Sequence, residues 1–205
     1  MNRALFRNRY RVASHRKRET DYAASTCYFV TICTKDRMPW FGEIRNGIMG
    51  LSDVGCVIRE EWERNAILRP DIQLGLSVIM PNHIHGIMYI DAVEIDRWSI
   101  SPRSIQQSIS GAVASCIPLA RRRAGELGSI IAQFKGACTK HISAMGYTDF
   151  AWQRNYHDHI IRDKYAYNAI EQYIVENPRR FESGESYDQP WVYLQEIDQR
   201  SISTR

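Results

Sequence analysis

The chain of 205 residues lacks a long hydrophobic run. Its apolar stretches are a few residues each, too short for the ~20 that a membrane-spanning helix needs. The N-terminus carries arginines with no apolar segment behind them, so it does not read as a secretory leader. Cysteine is sparse, with five residues at 27, 33, 56, 116 and 138. An odd number without close paired spacing reads as reduced, mostly core thiols in a cytosolic protein. No glycine-rich phosphate loop is present, so chemistry driven by nucleotide hydrolysis is not expected. No internal repeat is visible. Acidic residues are missing from residues 1–18, which hold seven basic ones: Arg3, Arg7, Arg9, Arg11, Arg16, Lys17 and Arg18.

That last absence gives meaning to a net charge of only +4. Residues 182–205 are acidic, and residues 19–181 are balanced, so the positive excess sits in an N-terminal arm. A basic block at one end is the footprint of a polyanion partner, or a solvated tail. A hydrophobic fraction of 44% supports a real core, and the length suits one domain. Three regions follow: a basic arm at 1–25, a folded domain at 26–181, and an acidic tail at 182–205. Within the domain, residues 91–128 lose periodicity. Five basic residues lie between Arg97 and Arg123, with serines, Pro102 and Pro118 among them. This segment reads as a long insertion or loop.

Thr26–Thr34 is rich in aromatic and β-branched residues and predicts a strand. A hairpin is expected within Phe41–Gly50. Ser52 can cap a helix to about Leu68, with Val54, Val57, Ile58, Glu61, Trp62 and Ile67 near helical spacing. Ile72–Met80 and His83–Ile90 read as strands joined by a Pro81-Asn82 turn. Ser129 is placed to cap a second helix striped by Ile131, Phe134, Cys138, Ile142 and Met145. Phe150–Ile161 reads as a fourth strand. Asp163 caps a last helix striped by Ala166, Ile170, Tyr173, Ile174 and Asn177, which Pro178 should end or kink. The order predicts an α+β fold: a ferredoxin-like β-α-β-β-α-β antiparallel sheet with an extra C-terminal helix. Helices would cover one face of that sheet, leaving the other for a ligand or for the added helix.

Three groups of residues carry chemistry. His83 and His85 alternate about Ile84 on a strand, so both imidazoles point the same way and can form two legs of a divalent metal site. They can equally be a pair of ordinary hydrogen-bonded histidines. His157-Asp158-His159 repeats the spacing on the fourth strand, with Asp158 facing the core side. It reads more readily as an edge-strand polar cluster, and a four-histidine zinc site from both triplets is the competing reading. Tyr173 and Asn177, four apart, share one helix face. A phenol can attack an activated phosphorus and an amide oxygen can complete a metal shell, although a tyrosine on the inward stripe is also what a core needs. Tyr165 and Tyr167 lie on the same helix, but Tyr165 is followed four residues on by Ala169 and Tyr167 by Glu171. Position on the inward stripe favours Tyr173.

These residues fall within runs that resemble a known family. Val78-Ile79-Met80-Pro81-Asn82-His83-Ile84-His85-Gly86-Ile87 resembles the histidine–hydrophobic–histidine ("HUH") strand of single-tyrosine transposases. Tyr28-Phe29-Val30-Thr31-Ile32-Cys33-Thr34-Lys35-Asp36-Arg37, followed by Phe41-Gly42, is similar to their first strand. Trp152-Gln153, Tyr156-His157-Asp158-His159-Ile160-Ile161-Arg162 and Tyr173-Ile174-Val175-Glu176-Asn177-Pro178 look like the REP-associated branch. The resemblance spans residues 26–181 with the motifs in order. It implies an HUH nuclease fold and a metal-dependent single-stranded DNA endonuclease and strand transferase. In that scheme Tyr173 is the nucleophile that forms a 5′-phosphotyrosine, and His83, His85 and Asn177 hold Mg²⁺ or Mn²⁺. The resemblance gives His157, Asp158 and His159 a motif but no role that physics can assign.

The implied partner is single-stranded or hairpin DNA, bound by positive grooves. The candidate phosphate contacts are Arg7, Arg9, Arg11, Arg16, Lys17 and Arg18 in the arm, Lys135 and Lys140 on the second helix, and Arg179 and Arg180 after the third. No membrane partner is expected, and monomer and homodimer both remain open. The alternatives to a transposase are a non-catalytic structured-DNA-binding module of the same fold and a histidine-rich zinc protein.

Overall fold

The computed structural model describes residues 26–90 and 127–184. The basic arm with Arg7 to Arg18, most of the expected insertion (91–126) and the tail from 185 lie outside the described residues. The elements in chain order are β1 (Thr26–Cys33), a short hairpin of β2 (Gly42–Arg45) and β3 (Ile48–Leu51), α1 (Asp53–Leu68), β4 (Ile72–Met80), β5 (His83–Ile90), α2 (Leu127–Ala144), β6 (His157–Ile161) and α3 (Lys164–Glu182). Four strands form one antiparallel sheet in the order β4-β5-β1-β6. This is the ferredoxin-like arrangement, with β1 and β5 central.

Both faces of the central strands are covered, so β5 is buried at nearly every position instead of at alternate ones. One face carries Tyr28, Val30, Ile32, Ile84, Met88 and Ile90 against α1 and α2, through Ile58, Trp62, Ile130, Phe134 and Cys138. The opposite face carries Phe29 and Ile87 against Ala166, Tyr167, Ile170, Tyr173 and Ile174 of α3. The added helix therefore closes the face that an unadorned split βαβ leaves open. Burying each such large apolar side chain contributes roughly 1.5–3 kcal/mol. Gly86 lets α1 approach the sheet, because a Cβ there would sit 2.3 Å from Trp62 Cζ2.

Caps and turns follow the local chemistry. The Ser52 hydroxyl accepts from the Gly55 N–H at 3.1 Å, and the Asp163 carboxylate accepts from the Ala166 N–H at 2.8 Å. The β2–β3 turn is Asn46-Gly47, with φ of 54° and 70°, the left-handed pair that a two-residue hairpin requires. Its N–H groups donate to the Glu182 carboxylate, Asn46 at 2.8 Å and Gly47 at 2.5 Å. The hairpin thus grips the last residue of α3.

Several expectations change. Ser129 does not cap α2, because the helix already includes Leu127, which is buried in the same stripe. Leu127 and Gly128 accordingly belong to α2 and not to an insertion. The fourth strand is only His157–Ile161. Its expected first half is a loop that meets the sheet at one isolated bridge, between Thr34 and Trp152, because Phe150 and Trp152 turn into an aromatic cluster with Trp40, Phe41 and Phe134, and Asn155 takes φ 70°. Pro178 does not end α3. The missing N–H costs one hydrogen bond to the preceding turn, yet the helix runs to Glu182, which the hairpin holds. Glu182 is therefore helical and not part of the tail. Ile67 and Met145 are exposed and leave the stripes assigned to them.

Candidate active site

β5 places His83 and His85 on the α3 face of the sheet, opposite Ile84 and Gly86. β1 supplies their neighbours in register, with Thr31 beside His85 and Cys33 beside His83. α3 then brings Tyr173 down on His85, and Asn177 follows one turn on along the same buried stripe. All four side chains are buried, at 2% exposure for His83, 1% for His85, 3% for Tyr173 and 0% for Asn177.

The two imidazoles converge, with His83 Nε2 3.0 Å from His85 Nε2. The Tyr173 hydroxyl lies 3.4 Å from His85 Nε2. Phe29 stacks on His85 with centroids 5.3 Å apart and meets Tyr173 edge-on at 6.0 Å, so one aromatic ring positions both. The outer nitrogens are also held: His83 Nδ1 is 2.6 Å from Asn82 Oδ1, and His85 Nδ1 is 2.8 Å from Thr31 Oγ1. Burial first, then the positive charge of Arg37, pushes His83 down to about 3. Burial, His83 and Arg37 together hold His85 well below the usual imidazole range. Both rings are neutral at pH 7, the state that offers lone pairs to a metal.

Asn177 is the outlier. Its Nδ2 and Oδ1 are buried and neither has a hydrogen-bond partner. A polar group so placed costs ~1–3 kcal/mol, and buried polar groups are almost always paired. An amide oxygen without a donor, one turn along α3 from Tyr173, and two converging neutral imidazole nitrogens are donor types that suit a divalent cation. The whole donor set is uncharged, so a bound cation would keep its full positive charge for a substrate oxygen.

The other predicted residues are placed elsewhere. His157 sits opposite Thr31 and His159 opposite Phe29, which puts them on the α3 face but with a full strand between them and His85, roughly 10 Å away at the usual strand spacing. Asp158 sits opposite Val30 on the α1–α2 face. Among the described residues no group of three or more His, Cys, Asp and Glu side chains could hold a metal, so the four-histidine site is not assembled. Lys135 does not point at a groove. Its ammonium donates to the Gln153 carbonyl at 2.9 Å and the Asn155 carbonyl at 2.6 Å, and lies over the Trp152 ring. Burial pushes it down to about 8. It and the exposed Lys140 lie on α2, across the sheet from the histidines. Arg179 lies against the hairpin turn at Gly47, and Arg180 pairs with Glu176 at 2.8 Å.

Sequence reasoning missed Thr31, Phe29 and Arg37 as parts of the site. Period-two alternation on β1 puts Phe29 and Thr31 on one face, but only the register shows which histidine each meets. Among the described residues the cysteines are free thiols, and no helix is long and apolar enough to cross a membrane.

No protein-family model matches the chain. It is 33% identical over 174 residues to an uncharacterized protein of Haemophilus influenzae, covering 85% of this chain and 92% of that one. Two solved structures match the chain at low sequence identity. One is a REP-associated tyrosine transposase bound to a REP hairpin, with a TM-score of 0.48 and 16% identity, over 77% of this chain and 68% of that chain. The other is a Deinococcus radiodurans protein described as a candidate transposase, with a TM-score of 0.37 and 15% identity, over 80% of this chain and 98% of that chain.

Proposed function

We propose, for a chain that belongs to one family with the uncharacterized Haemophilus influenzae protein, that it is an HUH-type tyrosine transposase: a single-stranded DNA endonuclease and strand transferase. The observation that carries this reading is the meeting of three buried side chains, His83, His85 and Tyr173, from two distant elements. Two neutral imidazole nitrogens lie 3.0 Å apart with a phenol 3.4 Å from one of them, and a buried amide without a partner follows one turn on along the same helix stripe. A sheet core has no need of these groups there. The ordered sequence motifs across residues 26–181 support the same reading.

His83 Nε2, His85 Nε2 and the Asn177 amide oxygen would hold Mg²⁺ or Mn²⁺, which when bound would polarise a DNA phosphate and offset its charge. Tyr173 contributes the nucleophile. Its oxygen forms a bond to phosphorus while the bond to the 3′ oxygen breaks, giving a 5′-phosphotyrosine and a free 3′-hydroxyl. The phosphoester bond count is conserved, so a 3′-hydroxyl can later reverse the step without ATP. Phe29 holds the Tyr173 and His85 rings in their mutual pose. α3 and the sheet exclude water from the phenol. Hairpin-bearing DNA ends are the proposed substrate, and the arm residues Arg7, Arg9, Arg11, Arg16, Lys17 and Arg18 the proposed phosphate contacts, with Lys140, Arg179 and Arg180 as further candidates. Lys135, already engaged by two carbonyls, is a weaker candidate than its charge suggests.

The test is to incubate the full chain with single-stranded hairpin oligonucleotides from the flanks of its own gene and Mn²⁺, and to resolve the products on denaturing gels. A covalent protein–DNA adduct is expected, and Tyr173→Phe should remove it. An adduct that survives Tyr173→Phe refutes the nucleophile. Salt-sensitive binding that never yields an adduct refutes the enzyme and leaves a DNA-binding module.

A further inference from the structure

The histidine pair has a hydrogen-bonding logic of its own, and it starts at Asn82. This residue is pinned from two directions. Its carbonyl accepts from the Thr34 N–H at 2.9 Å and the Thr34 hydroxyl at 3.0 Å. Its side-chain NH₂ donates to the Arg37 carbonyl at 3.1 Å. That carbonyl sits in a tight turn where Asp36 and Arg37 both adopt positive φ, 53° and 55°, a conformation uncommon for residues other than glycine. With its NH₂ engaged there, Asn82 can show His83 only its oxygen, and an amide oxygen cannot donate. His83 Nδ1, 2.6 Å away, must therefore carry the proton, which leaves His83 Nε2 as a bare lone pair.

The next atom is constrained in turn. His85 Nε2 lies 3.0 Å from His83 Nε2. Two lone pairs facing each other at that distance would repel, so in the cation-free protein His85 Nε2 must carry a proton and donate it to His83. A neutral imidazole has one N–H, so His85 Nδ1 is then bare and accepts from the Thr31 hydroxyl at 2.8 Å. That tautomer cannot bind a cation at Nε2.

We infer that Asn82 locks His83 in its ligating tautomer, whereas Thr31 lets His85 change tautomer, with its proton on Nε2 without a cation and on Nδ1 with one. In the change the Nε2–H bond breaks and the Nδ1–H bond forms, with the proton exchanging through solvent, so the ring stays neutral. The Thr31 hydroxyl turns from donor to acceptor. A hydroxyl can do both, which a carboxylate or a carbonyl cannot. Asn82 and Thr31 are positioning residues: they act through the histidines and touch no substrate. Burial and the nearby Arg37 charge, which keep both rings uncharged, are consistent with a choice between neutral forms. The change at His85 rests on the cation site proposed above, while the cation-free assignment does not.

Long-range ¹⁵N–¹H correlation spectra of the ¹⁵N-histidine-labelled full chain read the tautomers directly. In EDTA, His83 is expected as Nδ1–H and His85 as Nε2–H. With Mg²⁺ as a diamagnetic probe, His85 should convert to Nδ1–H while His83 is unchanged in tautomer. Finding His83 as Nε2–H, or His85 as Nδ1–H before any cation is added, would overturn the inference. Tautomers as expected in EDTA but no response to Mg²⁺ or Mn²⁺ would overturn the cation reading and the change at His85 together, and would support the Asn82 lock. Thr31→Val keeps the shape but removes the acceptor that the cation-bound tautomer needs, so Mn²⁺ affinity should fall about 10–100-fold, the usual cost of losing such a partner. Thr31→Ser should restore it. Equal Mn²⁺ affinity in Thr31→Val and the natural chain would overturn the role of Thr31.

Discussion

Replacing Asn177 by leucine should make the metal-free protein more stable. Leucine has the same branched heavy-atom skeleton as asparagine, so the change exchanges two buried polar atoms for two methyl groups with little change of shape. Both Asn177 polar atoms are buried without a partner, and leaving such a group unsatisfied costs ~1–3 kcal/mol. Some of that gain is offset by fitting bulkier methyls into a packed site, so the expected net is about 1–2 kcal/mol. For a chain of this length each kcal/mol moves Tm by roughly 2–4 °C, so the melt in EDTA should rise by about 2–8 °C. Excess Mn²⁺ should reverse the ranking. A ligand at 100 times its Kd stabilises the native state by about 2.7 kcal/mol, a gain open to the natural chain and largely closed to Asn177→Leu. The two melting series should cross as Mn²⁺ is added, with Asn177→Ala as the control that removes the amide without filling its space. A lower Tm for Asn177→Leu in EDTA would show that the amide is satisfied. An undiminished Mn²⁺ shift would show that it is no ligand.

Other consequences are open to measurement. His83 and His85 are held below the unfolded imidazole value of about 6.5, so the unfolded chain binds more protons beneath that pH. Their contribution is complete above pH 6.5 and is lost as pH falls, by about 1.4 kcal/mol per pH unit for each ring. Urea midpoints in EDTA should therefore show a loss of roughly 3 kcal/mol between pH 7.5 and 5.5, and a flat profile would refute the buried neutral state. Gly86→Ala must move Trp62 or the strand, because its Cβ would lie 2.3 Å from the indole; a loss of about 1–3 kcal/mol is expected in denaturant titration, and none would mean that α1 stands further off. Glu182→Ala should free the end of α3 from the hairpin, with faster amide hydrogen exchange over the last turn and about 1 kcal/mol less stability. Unchanged exchange would show the carboxylate contacts to be incidental.

Much of the fold is legible from period and punctuation. The bounds of β4 and β5 follow from dense apolar and β-branched runs separated by Pro81-Asn82, and α1 and α3 begin where Ser52 and Asp163 can cap them. The errors share a cause, which is tertiary contact overriding a local signal. Phe150 and Trp152 look like strand residues, but their rings have better partners in a cluster off the sheet. Pro178 is a helix breaker by itself, yet here the helix end is fastened by the hairpin beyond it. The site divides in the same way. The two histidines on one face, and Tyr173 with Asn177 on one stripe, are consequences of spacing. That Thr31 faces His85, that Asn82 is engaged by Arg37, and that Asn177 meets no donor depend on register and docking, which one-dimensional periodicity does not contain.

The grip of the hairpin on Glu182 joins residues 135 and 136 positions apart, and the Tyr173–His85 contact spans 88. Contacts of that separation form late, because the chain entropy of closing such loops opposes them until the sheet exists. During synthesis, domains fold as their elements emerge. A nascent chain that has reached β6 can already pair its four strands and set its histidines side by side, yet Tyr173 has still to be made. The contact between Tyr173 and His85 is therefore absent through most of the protein's own assembly, and forms only when α3 has been made, docked and fastened by a turn translated long before.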